Sequence, residues 1–264
     1  MTNTASMKAS ILLLVFCFCG GAYAQNGLPS SKATAQMSTL VKCTMSTATT
    51  DDGDAILPQS CVDLYTGATV QPEGEWLTIM SKPMKLSNSQ SIFVNPSLVS
   101  GLYTRTRTKT TTDSTSTAEA MGGVYLRAVL TPTDGGPDIV AAPLTSCNPN
   151  VLGCVSVDNK WGVQLNTRVQ TLTQSLSECT VLVGDLEGTC SFTSVIDLIT
   201  NTTSAHSFNF IFPNVGQGTY TIKVQAAVAS SASVIGSGSA VGAAAFGLGS
   251  MTAESVRLVH GFEF

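Results

Sequence analysis

Apolar residues along this chain do not hold the 3.6-residue spacing of an amphipathic helix for three turns. Short runs rich in Val, Ile, Thr and Phe recur instead, broken by Gly, Pro, Asn and Asp. β-Branched and aromatic side chains fit a pleated, half-buried surface, and the breakers supply turns. The pattern predicts strands over Thr39–Ser46, Cys61–Tyr65, Trp76–Met80, Ser91–Asn95, Leu102–Thr110, Val124–Thr131, Gly162–Val169, Cys179–Val183, Leu186–Phe192, Ser207–Phe212, Thr219–Ala227 and Ser255–Gly261. Ser194–Asn201 fits a short helix, and its β-branched content makes it equally a strand. Strands this short and frequent predict an all-β fold, an antiparallel sandwich or jelly roll with long loops. No repeat of roughly 20 to 50 residues is visible, which argues against a solenoid or propeller.

The first residues depart from this pattern. Lys8, the apolar stretch Ala9–Cys19 and the small-residue run Gly20-Gly21-Ala22-Tyr23-Ala24 have the form of a signal peptide cut after Ala24. The apolar stretch is about half of the roughly 20 residues a spanning helix needs. Cys17 and Cys19 each follow Phe where lipid attachment wants a small residue. The expectation is a signal peptide over 1–24 and a secreted, cell-surface or periplasmic β domain over 25–264, with 133–160 as the one candidate subdivision.

Removing residues 1–24 takes Lys8 and no acid, leaving 12 basic against 17 acidic residues. That balance argues against nucleic acid or an anionic membrane as partner. Of eight cysteines, Cys43, Cys61, Cys147, Cys154, Cys179 and Cys190 remain. No C-x-x-C occurs and neither His206 nor His260 lies near a Cys pair, so disulfides are favoured over zinc. Cys179 and Cys190 meet in register across a hairpin whose loop is Gly184-Asp185, because Gly at the first loop position suits a type II′ turn. Sequence proximity favours Cys43 with Cys61 and Cys147 with Cys154.

Two segments are compositionally odd. Thr104–Thr117 reads TRTRTKTTTDSTST, placing Arg105, Arg107 and Lys109 on one strand face and Thr104, Thr106, Thr108 and Thr110 on the other. The simplest reading is a solvent-facing strand running into a loop, and the sharper one a sugar or anion site on the basic face. Val224–Ala253 is 30 residues without a charge, dominated by Ala, Ser, Gly and Val. It reads as a small-residue hairpin or long loop packed closely on its neighbours, since too few large apolar residues are present for bilayer insertion.

Candidate chemistry is sparse. No G-x-S-x-G elbow occurs, and His206 reads as a strand-end histidine. Glu73 with Glu75, and Asp185 with Glu187, are the acid pairs a glycosidase would need, and each reads more simply as loop charge. Asp51, Asp52 and Asp54 form an acidic turn that offers oxygen ligands to calcium without the full loop pattern. Trp76 and Trp161 are aromatics of the core or of a cleft, where either would stack on a sugar ring; they and the basic-face residues Arg105 and Arg107 are the candidate ligand-binding residues. Asn201-Thr202-Thr203 is a glycosylation sequon. No cofactor is expected.

The C-terminal third is more distinctive. Phe208-Asn209-Phe210-Ile211-Phe212, then Gly218-Thr219-Tyr220-Thr221-Ile222-Lys223-Val224-Gln225, then Met251-Thr252-Ala253-Glu254-Ser255-Val256 resembles the closing strands of secreted and phage-associated jelly-roll modules, over about residues 207–260. In such modules the Gly-Thr strand pairs with the final one. The resemblance implies binding to surfaces, glycans or other copies, and carries over no site residue.

The leading expectation is a non-enzymatic extracellular or cell-surface β protein for adhesion, surface structure or ligand (glycan) binding, with a glycan or surface protein as partner and homo-oligomers in prospect. A secreted hydrolase with an unrecognised carboxylate pair is the alternative. A small outer-membrane β-barrel is the third reading, prompted by the apolar face of the strand that ends at Phe264.

Overall fold

The computed structural model describes residues 32–50, 57–183 and 186–258, of which 179–183 and 186–189 by backbone alone. The segment 1–24, the acidic turn of Asp51, Asp52 and Asp54, the loop residues Gly184 and Asp185, and the chain end from Val259 lie outside the described residues.

Two sheets stack face to face. The first holds β1 (Ala33–Ser38), β2 (Lys42–Thr49), β3 (Thr69–Val70), β5 (Gln90–Thr111), β12 (Thr193–Ser207), β13 (Phe210–Val215) and β15 (Ser237–Val256). Its order is β12-β5-β15-β2-β3, with β13 continuing the row of β12 along β5 and β1 continuing the row of β2 along β15. The second sheet, in the order β4-β14-β6-β9-β8, holds β4 (Leu77–Leu86), β14 (Gly218–Ile235), β6 (Thr115–Pro132), β9 (Lys160–Ser175) and β8 (Cys154–Val157), with β7 (Ile139–Val140) on β6. The candidate subdivision at 133–160 therefore carries β7 and β8, both attached to the second sheet. All pairings are antiparallel except β2 with β3. This is the expected sandwich, two sheets packed against each other.

The long strands come as arches rather than hairpins. β5 leaves the first sheet at Thr111 and returns as β6 in the second, while β14 leaves the second at Ile235, turns at Gly236 and returns as β15 in the first. Gly236 has φ +84°, and a Cβ there would press on Thr115 and Ser116. The small-residue segment 224–253 is therefore strand on both sides of that turn, facing itself across the two sheets. For the same reason the strand beginning Gly218-Thr219-Tyr220 and the final strand do not pair with one another.

Ser91–Asn95 and Leu102–Thr110 merge into β5, since Pro96 falls where β12 gives way to β13, a gap that asks no N–H of it. Cys61–Tyr65, expected as a strand, is a helical turn (α1, Cys61–Leu64). The Ser60 hydroxyl donates to Asp63 (2.9 Å), and a disulfide to Cys43 pins the turn to β2. Ser194–Asn201 is strand, the first half of β12.

Disulfides join Cys43 to Cys61 and Cys147 to Cys154. β10 (Cys179–Val183) and β11 (Leu186–Cys190) pair in the expected register, Cys179 opposite Cys190, and Cys190 is disulfide-bonded.

Between the sheets the interior changes character along its length. At one end Phe210, Phe212, Met80, Met84, Ile92, Leu126, Leu130, Ile222 and Phe246 form an apolar core. At the arch end the large side chains stop. Ala118, Ala120 and Ala240 pack together, and a Cβ on Gly242 would fall inside contact distance of the carbonyl oxygens of Met121 and Ser231. The sheets there approach backbone to backbone.

Candidate functional site

The threonines of the TRTRTKT run are fully buried, not solvent-facing. β5 is an inner strand of its sheet, so the alternation that turns Arg105, Arg107 and Lys109 outward turns Thr104, Thr106, Thr108 and Thr110 onto the second sheet. Thr104, Thr106 and Thr108 meet polar side chains of β9 there, while the Thr110 hydroxyl is buried without a hydrogen-bond partner among the described residues. Thr104 donates to Gln170 Oε1 (3.0 Å), Gln170 Nε2 donates to Thr106 (2.8 Å) and to the Leu198 carbonyl (2.9 Å), and Thr200 donates to Gln170 Oε1 (2.8 Å). Thr108 donates to Gln174 Oε1 (3.0 Å). Further along β9, Asn166 Nδ2 donates to Ser100 (2.8 Å) and Ser204 (3.2 Å). Asn166, Gln170 and Gln174 are four residues apart, a spacing that keeps side chains on one face of a strand. A bulge at Leu165 sets that face, since Val124 pairs with Asn166 but Tyr125 with Gln164. The result is a polar seam in which β9 is bonded across to β5 and β12.

Ser204 and His206 lie on this seam with Oγ and Nε2 2.6 Å apart. Positions i and i+2 of a strand share a face, so this nucleophile–base contact follows from β12 being a strand, a fact the S-x-H spacing could have signalled. The Ser204 hydroxyl also accepts from Asn166.

On the outer face of the first sheet Arg105 reaches diagonally to Asp197 of β12, Nε to Oδ1 at 3.0 Å and Nη2 to Oδ2 at 2.5 Å. The hydrogen bond holds Asp197 below its ordinary pKa and raises Arg105. Arg107, half-buried, stands opposite Asp197 in the β5–β12 register. The basic face thus carries its own counter-charge.

Trp76 lies on the outer face of the second sheet. Its Nε1 donates to the Val157 carbonyl (3.0 Å), its ring covers Gly162, and the Arg127 guanidinium sits 5.5 Å from its centroid. Arg127 is 5% exposed, with Nε and Nη1 lacking hydrogen-bond partners, and burial lowers its pKa. The ring's negative face offsets part of that cost. Trp161 neighbours Gly162 on β9 and so points to the opposite face of the strand, and the two tryptophans form no common platform.

Glu73 does not face Glu75 across a cleft. Its Oε1 accepts from the Ser230 amide (2.8 Å) and hydroxyl (2.5 Å), fastening the 71–76 loop to β14. Among the described residues no three of His, Cys, Asp and Glu cluster to hold a metal. Surface hollows of about 420 Å³ beside Asn95, Thr252 and Glu254 and about 270 Å³ beside Tyr65, Thr203 and Phe246 are lined by neither tryptophan nor by Arg105 or Arg107.

No family model matches the chain, and no curated protein does. Among solved structures it is similar to one titled "Structure of infectious bursal disease virus Gx strain" (12% identity, TM-score 0.14, 86% of this chain and 41% of that one). A second, "Structure of infectious bursal disease virus Gt strain", gives 13% identity and TM-score 0.11 over 87% and 43%. The chain spans less than half the length of either, and TM-scores this low carry no argument.

Proposed function

We propose that the mature chain is a non-enzymatic component of an exported surface, serving surface structure and adhesion rather than turnover. The observation that carries this is how the sandwich spends its polar groups. Thr104, Thr106, Gln170 and Asn166 are bonded across the sheets, Arg105 is held by Asp197, and Glu73 by Ser230. Groups locked in this way stiffen a scaffold, whereas a catalytic site keeps some of its polar groups free for substrate. Strands of 22, 18, 18 and 20 residues (β5, β6, β14, β15) run the length of the interior, which suits a stiff, elongated element. The disulfides are compatible with an oxidising compartment.

The competing hydrolase reading has one observation in its favour, the Ser204–His206 contact. Screening the mature protein against ester, peptide and glycoside substrates separates the two. No turnover is expected, and turnover abolished by Ser204→Ala, or by replacing Glu73, Glu75, Asp185 or Glu187, would overturn the proposal.

A further inference from the structure

Among the described residues the first sheet ends on β12, a strand of 15 residues paired on one side only, with β5, in an unbroken register. Natural edge strands are protected against pairing with another chain by lysine, proline, bulges or shortness. β12 has none of these. Its single formal charge, Asp197, is already bound by Arg105. Apolar side chains stand exposed on both of its faces, Val195 (46%) and Ile199 (55%) outward, Ile196 (43%) and Leu198 (46%) on the other side. Among the described residues no strand pairs with the adjoining edge of the second sheet at the same level. β8 covers β9 only through Val163, and Gln170 reaches the Leu198 carbonyl beside an exposed Val169 (62%).

We infer that this edge joins two copies of the chain, β12 against β12 antiparallel about a two-fold axis at Asp197. The occupant is argued from the strand itself, which reads Val195-Ile196-Asp197-Leu198-Ile199, apolar residues placed symmetrically about one charge. Under the two-fold, Val195 faces Ile199 of the second copy, Ile196 faces Leu198, and Asp197 faces Asp197. Like charges directly opposite normally oppose pairing. Here each carboxylate carries its own Arg105, with Arg107 opposite it in the register, so the axis is lined by four guanidinium groups and two carboxylates. A partner strand of other sequence would satisfy the backbone but not this symmetry. Pairing over Thr193–Asn201 spans about 30 Å, and with both sheet edges contributing a depth of about 20 Å it covers about 600 Å² per copy. That is the lower end of specific interfaces, so the assembly is a reversible dimer set by concentration.

Sedimentation velocity on the mature protein from about 1 to 200 µM tests this. The wild type is expected to pass from monomer to dimer in that range. Val195→Lys and Ile199→Glu, each checked for unchanged circular dichroism, are expected to weaken dimerisation at least about tenfold. Mixing the two restores it, because the new charges face each other across the axis. Ile235→Lys, 72% exposed beside the Gly236 turn, controls for general loss of surface apolarity and leaves the dimer unchanged. A wild type that stays monomeric, single variants that dimerise as well as the wild type, or a mixture that fails to reassociate would each overturn the inference. The outcome is independent of the turnover screen.

Discussion

Gln170 is the side chain on which the polar seam depends most. Its amide makes four hydrogen bonds, to Thr104, Thr106, Thr200 and the Leu198 carbonyl, and Thr104 and Thr106 are fully buried. Gln170→Leu keeps the volume and removes every one of them. Two buried hydroxyls left without this partner cost about 1 to 3 kcal/mol each, whereas half-buried Thr200 can turn to water. The leucine returns about 1 to 2 kcal/mol through apolar burial. The midpoints of these ranges give a net loss of about 2.5 kcal/mol, a fall in Tm of about 5 to 10 °C for a domain of this size. Gln174→Leu removes one such bond, to Thr108, and by the same midpoints should cost only about 0.5 kcal/mol. The decisive variant is the triple Gln170→Leu, Thr104→Val, Thr106→Val, in which both sides of the network become apolar and most of the loss should be recovered. Thermal and urea unfolding followed by circular dichroism supply the measurement. A Gln170→Leu protein melting within about 1 °C of wild type, or a triple variant no more stable than the single, would refute the account of the seam.

Gly242→Ala should destabilise by about 3 kcal/mol or more, because the added methyl meets carbonyl oxygens of two strands in the facing sheet; urea unfolding at matched m-value measures it. Asp197, whose pKa is depressed by the Arg105 hydrogen bond, contributes stability that is present above the unfolded carboxylate pKa near 3.9 and is lost as pH falls through the lower folded value. The difference in unfolding free energy between wild type and Asp197→Asn, from urea unfolding, should therefore be constant from about pH 5 to 7, vanish in acid, and stay below about 1 kcal/mol because the pair is partly exposed.

Much of the architecture is legible in the residues. Alternation of Val, Ile and Thr between turn formers defines most of the strands, and strand alternation together with Gly184-Asp185 sets Cys179 opposite Cys190, as found. The pairings of Cys43 with Cys61 and Cys147 with Cys154 follow from proximity and hold in the structure. Local chemistry decides these features, because each depends on residues close in sequence.

What the tertiary structure alone decided is which face looks inward. The alternation in TRTRTKT separates threonines from cations but cannot say which set meets solvent. That depends on β5 lying between β12 and β15 with β9 stacked behind it. The bulge at Leu165 acts in the same way. Continued strictly from buried Val163, the alternation of β9 would put Thr167, Val169 and Thr171 inside, and the extra residue puts Asn166, Gln170 and Gln174 there instead. Likewise nothing local shows that Gly236 turns the chain from one sheet into the other rather than back along the same one. Both outcomes use the same glycine, and contacts more than a hundred residues away, with β5 and β6, choose between them.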